Sequence, residues 1–294
     1  MDSFRLGIPT PAPLAEPVNL RTDRQEETPI PPPDRATLAL RSQLEAQRRQ
    51  MSQISQVLQS YLPSNFPVLG GLDIVGYCRP CADVAGDFYD VMALPDGRVS
   101  ICMADVAGHG AQAAIAMATT RALLHAALSD AVPATGPGDI LYRLSNWLYA
   151  RCVEDRYVTM WLGLWDPQTE ELRYASAGHP PAVLWSPGST IPRYLSCETS
   201  IPVGLAGIEP RRPRESVVEL GLGDRIFLYT DGWTETSSHA GNFLAGAEFL
   251  SFLGNAYGQP LRQTPIFLFT EFERHSANST IRDDVSLLVF DRIT

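Results

Sequence analysis

Three strand-like runs follow one another with no helix between them: Leu72–Arg79, residues 87–94 and residues 98–106. Asp96-Gly97 lies between the last two and has the chemistry of a tight hairpin turn. Strands joined in this way pair antiparallel, because a parallel pair needs a crossover of a dozen or more residues. The run at 98–106 then passes through Gly108 and Gly110 into an Ala-rich segment with helical character at 112–129. A second helix is predicted at 139–152, set off by Pro133 and Pro137. Strands are predicted at 157–166, 171–176, Ala182–Trp185, 216–220 and 225–230, helices at 243–252 and 264–274, and a closing strand at 285–291. Strands grouped before and after pairs of helices predict an α+β fold of two antiparallel sheets covered by helices, rather than a βαβ alternation.

Upstream of these runs the chain changes character twice. Residues 1–35 carry Pro9, Pro11, Pro13, Pro17, Pro29, Pro31, Pro32 and Pro33 among polar residues. Such a segment buries too little apolar surface to offset its chain entropy, and it reads as a disordered tail. In residues 36–62, Leu44, Met51 and Leu58 recur every seven positions, with Leu40, Gln47, Ile54 and Tyr61 as the second seam. This is a short heptad pattern, ended by Pro63, that suits either a helix lying on its own domain or a dimerising, signal-relaying helix. Residues 63–294 form the globular domain.

Charge narrows the function classes. The net charge is −10, and residues 1–65 hold seven Arg against seven acids, so the whole surplus falls in the globular part. That excludes a basic nucleic-acid footprint; the acidity serves solubility or a cation site. All 23 basic residues are Arg. A Walker-A loop, a kinase strand lysine and a Schiff base are therefore excluded. Five Cys do not make a paired framework. Cys78 and Cys81 form a lone CxxC inside a strand pattern and read as buried thiols rather than a zinc site. The N-terminus has no signal-peptide pattern and no apolar run of membrane-spanning length, which predicts a soluble cytoplasmic protein.

Four acids share one setting. Asp87 follows Gly86 at a strand start, and Asp105 ends a strand before Gly108-His109-Gly110. Asp231 follows the run Ile226–Thr230 and precedes Gly232, while Asp283 and Asp284 open the last strand. Each alone is a common turn or cap residue. Gathered in one cleft they raise one another's pKa unless a cation neutralises them, and hard carboxylate oxygens select Mg2+ or Mn2+. No G-x-S-x-G elbow is present for a serine hydrolase.

These segments resemble the ordered motifs of the SpoIIE-like, RsbU-type branch of the metal-dependent PPM serine/threonine protein phosphatases. They are Pro80–Asp90 (PCADVAGDFYD), Asp105–Gly110 (DVAGHG), Ala177–Pro181 (AGHPP), Gly223–Glu235 (GDRIFLYTDGWTE) and Asp283–Val289 (DDVSLLV). Tyr61-Leu62-Pro63 is similar to the linker end that often precedes that domain. Ala85 stands where the family has Gly, and Trp233 where it has a small aliphatic residue. The resemblance implies an αββα sandwich with two Mn2+ or Mg2+ ions. It implies that Asp105 bridges both, the Val106 carbonyl ligates one, Asp231 and Asp283 hold the other, and Asp87 is an outer ligand. It further implies hydrolysis of phosphoserine or phosphothreonine by in-line attack of a metal-bound hydroxide, with Asp105 and His109 as catalytic residues. His109 or His179 would protonate the leaving alkoxide, with His179 favoured as structural. The implied substrate is a phosphorylated regulatory partner of the STAS-type anti-sigma-antagonist kind. A homodimer through residues 36–62 is the implied assembly, and a catalytically silent interaction module is the alternative.

Overall fold

The computed structural model describes residues 35–60, 62, 65–82, 84–108, 110–150, 157–238, 241–276 and 281–294. The chain divides into two compact units, Met1–Leu44 and Glu45–Thr294. The predicted tail falls outside the described residues up to position 34. Helix α1 (Arg35–Gln59) then matches the predicted heptad segment and ends three residues before position 62. Leu40 and Leu44, the first positions of its two seams, are exposed.

The globular unit runs β1 (Leu72–Arg79), β2 (Phe88–Ala93), β3 (Val99–Val106), α2 (Ala111–Ser129), α3 (Pro137–Tyr149), β4 (Val158–Asp166), β5 (Glu171–Ala177), β6 (Ala182–Trp185) and β7 (Arg193–Leu195). It continues through β8 (Ser216–Glu219), β9 (Arg225–Tyr229), α4 (Gly232–Glu235), α5 (Gly246–Gly254), α6 (Thr264–His275) and β10 (Val285–Arg292). One five-stranded sheet has the order β1-β10-β9-β6-β7 and the other β2-β3-β4-β5-β8, with every strand pair antiparallel. Helices α2 and α3 cover the outer face of the second sheet, and α5 and α6 cover that of the first.

Strand alternation sorts the side chains into these layers. In β3, Val99, Ile101 and Met103 point into the core between the sheets, while Cys102, Ala104 and Val106 face α2 and α3. In β10, Leu288 and Phe290 enter the inter-sheet core, and Val285, Leu287 and Val289 meet α5 and α6. Trp161 and Trp165 fill the centre of the sandwich, and the Trp165 indole donates to the Gly70 carbonyl at 2.7 Å. Burying one such ring removes about 150–250 Å² from water, a contribution of roughly 4–6 kcal/mol.

The structure adds two elements that the sequence reading omits. Strand β7 has three residues and α4 has four, too few for a period to register. The helix predicted at 243–252 begins at Gly246, because Phe243 instead bridges back to Ser237. Trp233 is wholly buried against Phe252, Phe269 and Phe272, and its indole donates to the Ser286 carbonyl at 2.8 Å. It is therefore core and not part of a cleft rim. Ala85 lies outside the positive-φ region, so replacing Gly there carries no backbone strain. Cys78 and Cys81 are free thiols, with Cys81 pushed up to about 12 by burial and the Asp284 charge. Among the described residues no helix is long and apolar enough to cross a membrane.

Candidate active site

The β2–β3 hairpin sets the first pair of acids. Phe88 pairs with Ala104 across the two strands, so one step further Asp87 stands against Asp105. Like charges directly opposite on neighbouring strands repel. Asp87 is wholly buried; burial first, then the charges of Asp105 and Asp284, raise its carboxyl well above the ordinary range. Asp105 is less enclosed and is pushed up to about 7 by burial and then by Asp231, Asp283 and Asp284. Asp231, beside α4, rises to about 6 through burial, Glu235 and Asp283. Three of the acids singled out in the sequence, Asp87, Asp105 and Asp231, are thus raised in part by other carboxylates, from segments as distant as positions 87 and 284.

Hydrogen bonds across the two sheets hold this end of the sandwich together. The Thr230 hydroxyl, just past β9, donates to Asp87 Oδ2 at 2.8 Å and accepts from the Ser286 amide at 3.0 Å. The Asp284 carboxylate accepts from the amides of Cys81 (2.8 Å), Gly86 (2.6 Å) and Asp87 (3.3 Å). Two glycines mark where backbones meet. A Cβ at Gly86 would lie 3.1 Å from the Val106 carbonyl oxygen, and one at Gly232 would lie 2.1 Å from the Asp284 carbonyl oxygen. Glycine is required at the second position because a backbone atom cannot yield as a flexible side chain can.

The doublet at the start of β10 therefore divides its labour. Asp284 is buried and ties the Gly86–Asp87 backbone, whereas Asp283 borders an open cavity of about 430 Å³ with Gly232, Glu235 and Arg282. Asp231 lines a second cavity of about 430 Å³ with Thr159, His179 and Cys197. His179 is buried, its Nδ1 lies 2.9 Å from Thr159 Oγ1, and Thr159 pairs with Asp105 across β3 and β4. Burial lowers its pKa to about 3, so the ring is neutral near pH 7 and holds Thr159 rather than supplying a proton. His109 lies outside the described residues.

Among the described residues, no group of three His, Cys, Asp or Glu side chains has the geometry of a closed metal-ligand set. Asp283 and Asp231 open onto separate cavities, and Asp87 is buried. Their chemistry still fits a hard dication. All the donors are carboxylate oxygens, and Asp87 Oδ1 is a buried acceptor with no hydrogen-bond partner. Thr230, Asp284 and Glu235 were not assigned site roles by sequence reasoning. The Thr-Asp-Gly and Asp-Asp runs carried the signal for the first two, and the four-residue spacing of Asp231 and Glu235 on one short helix carried the third.

Residues 95–293 match the family model of stage II sporulation protein E, SpoIIE. The chain belongs to the SpoIIE family. This SpoIIE-family chain is 26% identical over 189 residues to the phosphoserine phosphatase RsbU of Bacillus subtilis, an alignment covering 64% of the chain and 54% of RsbU. It spans about half the length of the curated relatives it matches. Its fold is similar to the SiaA-PP2C domain of Pseudomonas aeruginosa, with TM-score 0.73, 21% identity, and 84% and 98% of the two chains covered. It is also similar to the RsbU and RsbW domains of Rv1364c from Mycobacterium tuberculosis, with TM-score 0.67, 27% identity, and 79% and 63% covered. RsbX, solved in complex with magnesium, shares the fold at TM-score 0.53 and 16% identity, with 75% and 94% covered.

Proposed function

We propose that this SpoIIE-family chain is a metal-dependent protein phosphatase acting on phosphoserine or phosphothreonine of a regulatory partner protein. The observation that carries this reading is the crowding of carboxylates at one end of the sandwich, where Asp87, Asp105 and Asp231 are all raised and the Asp283 charge contributes to the last two. Asp105, the Val106 carbonyl, Asp231 and Asp283 would hold two Mn2+ or Mg2+ ions, with Asp87 as an outer ligand. When bound, such ions supply a water of lowered pKa and positive charge for the phosphate oxygens. The chain's own groups set the frame. Thr230 fixes Asp87 through Oδ2 and leaves Oδ1 buried without a hydrogen-bond partner, Asp284 pins the loop that carries Asp87, and neutral His179 steadies Thr159 beside Asp105. His109, next to Gly108 and Gly110, is the proposed proton donor to the leaving alkoxide.

The family and the likeness to RsbU support a partner of the anti-sigma-antagonist, STAS-domain type. In this reading residues 1–35 are a tail, residues 36–62 a dimerising or relay helix, and residues 63–294 the phosphatase domain, in a cytoplasmic protein. The exposed Leu40 and Leu44 support the helix role.

The test is release of phosphate from a phosphoserine peptide and from p-nitrophenyl phosphate, with and without Mn2+. Turnover that depends on Mn2+ and falls by orders of magnitude in Asp105→Ala is the expected result. Turnover no greater than that of Asp105→Ala overturns the activity and leaves a binding module on the same fold.

A further inference from the structure

Among the described residues, the cavity bordered by Asp283 has one basic side chain in its lining, Arg282. Its other walls are Gly232, Glu235 and Thr236 of the α4 segment, and Ser237 and Phe243, which pair to close a short loop. Most arginines of the domain are fixed by acids; Arg98 by Asp96, Arg225 by Asp291 and Arg292 by Glu170 are examples. Arg282 is exposed, and among the described residues it forms no ion pair, although Asp283 adjoins it and Glu235 lines the same cavity. A guanidinium left free at the mouth of an acid-lined cleft is available to an incoming anion.

The charge balance of the cleft asks for such a group. Asp87, Asp105, Asp231, Asp283, Asp284 and Glu235 crowd this end of the sandwich, and a phosphate monoester arrives with nearly two further negative charges. Even two bound dications do not outweigh that many carboxylates. An Arg at the rim lowers the approach barrier, and its planar fork matches two phosphate oxygens at once.

We propose that Arg282 is a substrate-binding residue that engages the phosphate of the monoester as it enters beside Asp283. The role rests on the phosphatase reading given above and adds to it the group that receives the phosphate dianion. Arg282 touches the ester in the bound state and the transition state alike, so its loss is felt mainly in KM. Asp283 and Arg282, adjacent in the chain, then serve cation and anion in turn.

The experiment compares Arg282→Ala and Arg282→Lys with the unaltered chain, all loaded with Mn2+, on p-nitrophenyl phosphate and on a phosphoserine peptide. Inorganic phosphate serves as a competitive inhibitor, and the Mn2+ midpoint is read by thermal shift. The expected result is a KM about 10- to 100-fold higher for both substrates in Arg282→Ala, and a phosphate inhibition constant raised in step. Arg282→Lys, which keeps the charge but not the fork, falls between, and the Mn2+ midpoint stays put. Unchanged KM and phosphate inhibition overturn the role. So does a KM rise confined to the peptide, which would put Arg282 on the polypeptide and not on its phosphate. If the unaltered chain shows no turnover, the activity itself is refuted and this role with it; turnover with an indifferent Arg282→Ala refutes this role alone.

Discussion

Replacing Thr230 by Val tests whether the inter-sheet hydrogen bonds position Asp87. The two side chains have nearly the same shape, so the change removes one hydroxyl and little else. That hydroxyl is inaccessible to solvent; it donates to Asp87 Oδ2 at 2.8 Å, with a longer contact to the Asp284 carbonyl at 3.4 Å, and accepts from the Ser286 amide at 3.0 Å. Without it the Ser286 N–H is buried and unpaired, at a cost of about 1–3 kcal/mol. The Asp87 carboxyl loses a donor, worth about 1.5–3 kcal/mol when it is ionised and less when it is protonated. The sum is about 2.5–6 kcal/mol of folding stability at a pH where Asp87 is charged, and Asp87 is driven further toward its protonated form. Thr230→Ser keeps the hydroxyl and costs only a methyl, about 1 kcal/mol. Urea unfolding followed by circular dichroism gives the stabilities, and the same samples titrated with Mn2+ give the cation midpoint. The Val variant should bind Mn2+ more weakly and the Ser variant nearly as the parent does. A Val variant within about 0.5 kcal/mol of the parent, with an unshifted Mn2+ midpoint, refutes the reasoning.

Three further outcomes follow from the same geometry. Asp105 and Asp231 have folded-state pKa values of about 7 and 6, above their unfolded values near 4, so in EDTA the folded state loses stability as pH rises through that window. Asp105→Asn should then be more stable than the parent by about 1–3 kcal/mol at pH 8 without metal, and thermal melts that show no such gain contradict the acid crowding. Trp233→Phe should lower stability by about 1–3 kcal/mol through the lost bond to the Ser286 carbonyl while leaving turnover per folded molecule intact; a selective loss of turnover would return Trp233 to the cleft. A chain beginning at residue 63 should be a monomer in light scattering where the full-length chain is a dimer, and an unchanged number of subunits removes the dimerising role of residues 36–62.

Much of this architecture is legible in the chain because its strands are long and alternate cleanly. The hairpin at Asp96-Gly97 is legible, but its pairing is centred on Asp96, so the register that sets Asp87 against Asp105 lies one residue from the one a two-residue turn would give. The partition between Asp283 and Asp284 is not legible in that way. Both are Asp beside the same strand, and only the amides of Cys81, Gly86 and Asp87, about two hundred positions away, decide which one is buried. Thr230 is hidden for the same reason: a threonine after an apolar strand is ordinary until a carboxylate from the other sheet meets its hydroxyl. Strand β7 and helix α4 escape because three or four residues have no period to read. For His179 the turn before two prolines already favours a structural role, and the structure adds its burial and its bond with Thr159.

The bonds from Thr230 and Asp284 to Asp87 straddle the seam between the sheets, joining residues 143 and 197 positions apart. Contacts with such separations form only after long loops have closed, so the acids are brought together late, when the sandwich shuts. Until then Asp87 and Asp105 face each other only within their own hairpin, apart from the acids of the other sheet. Crowding like charges is thus the last step of assembly and one of its most opposed, and a cation that relieves it acts as a latch on the closed form. In the proposed metal-bound form, cation occupancy would report whether the two sheets have met.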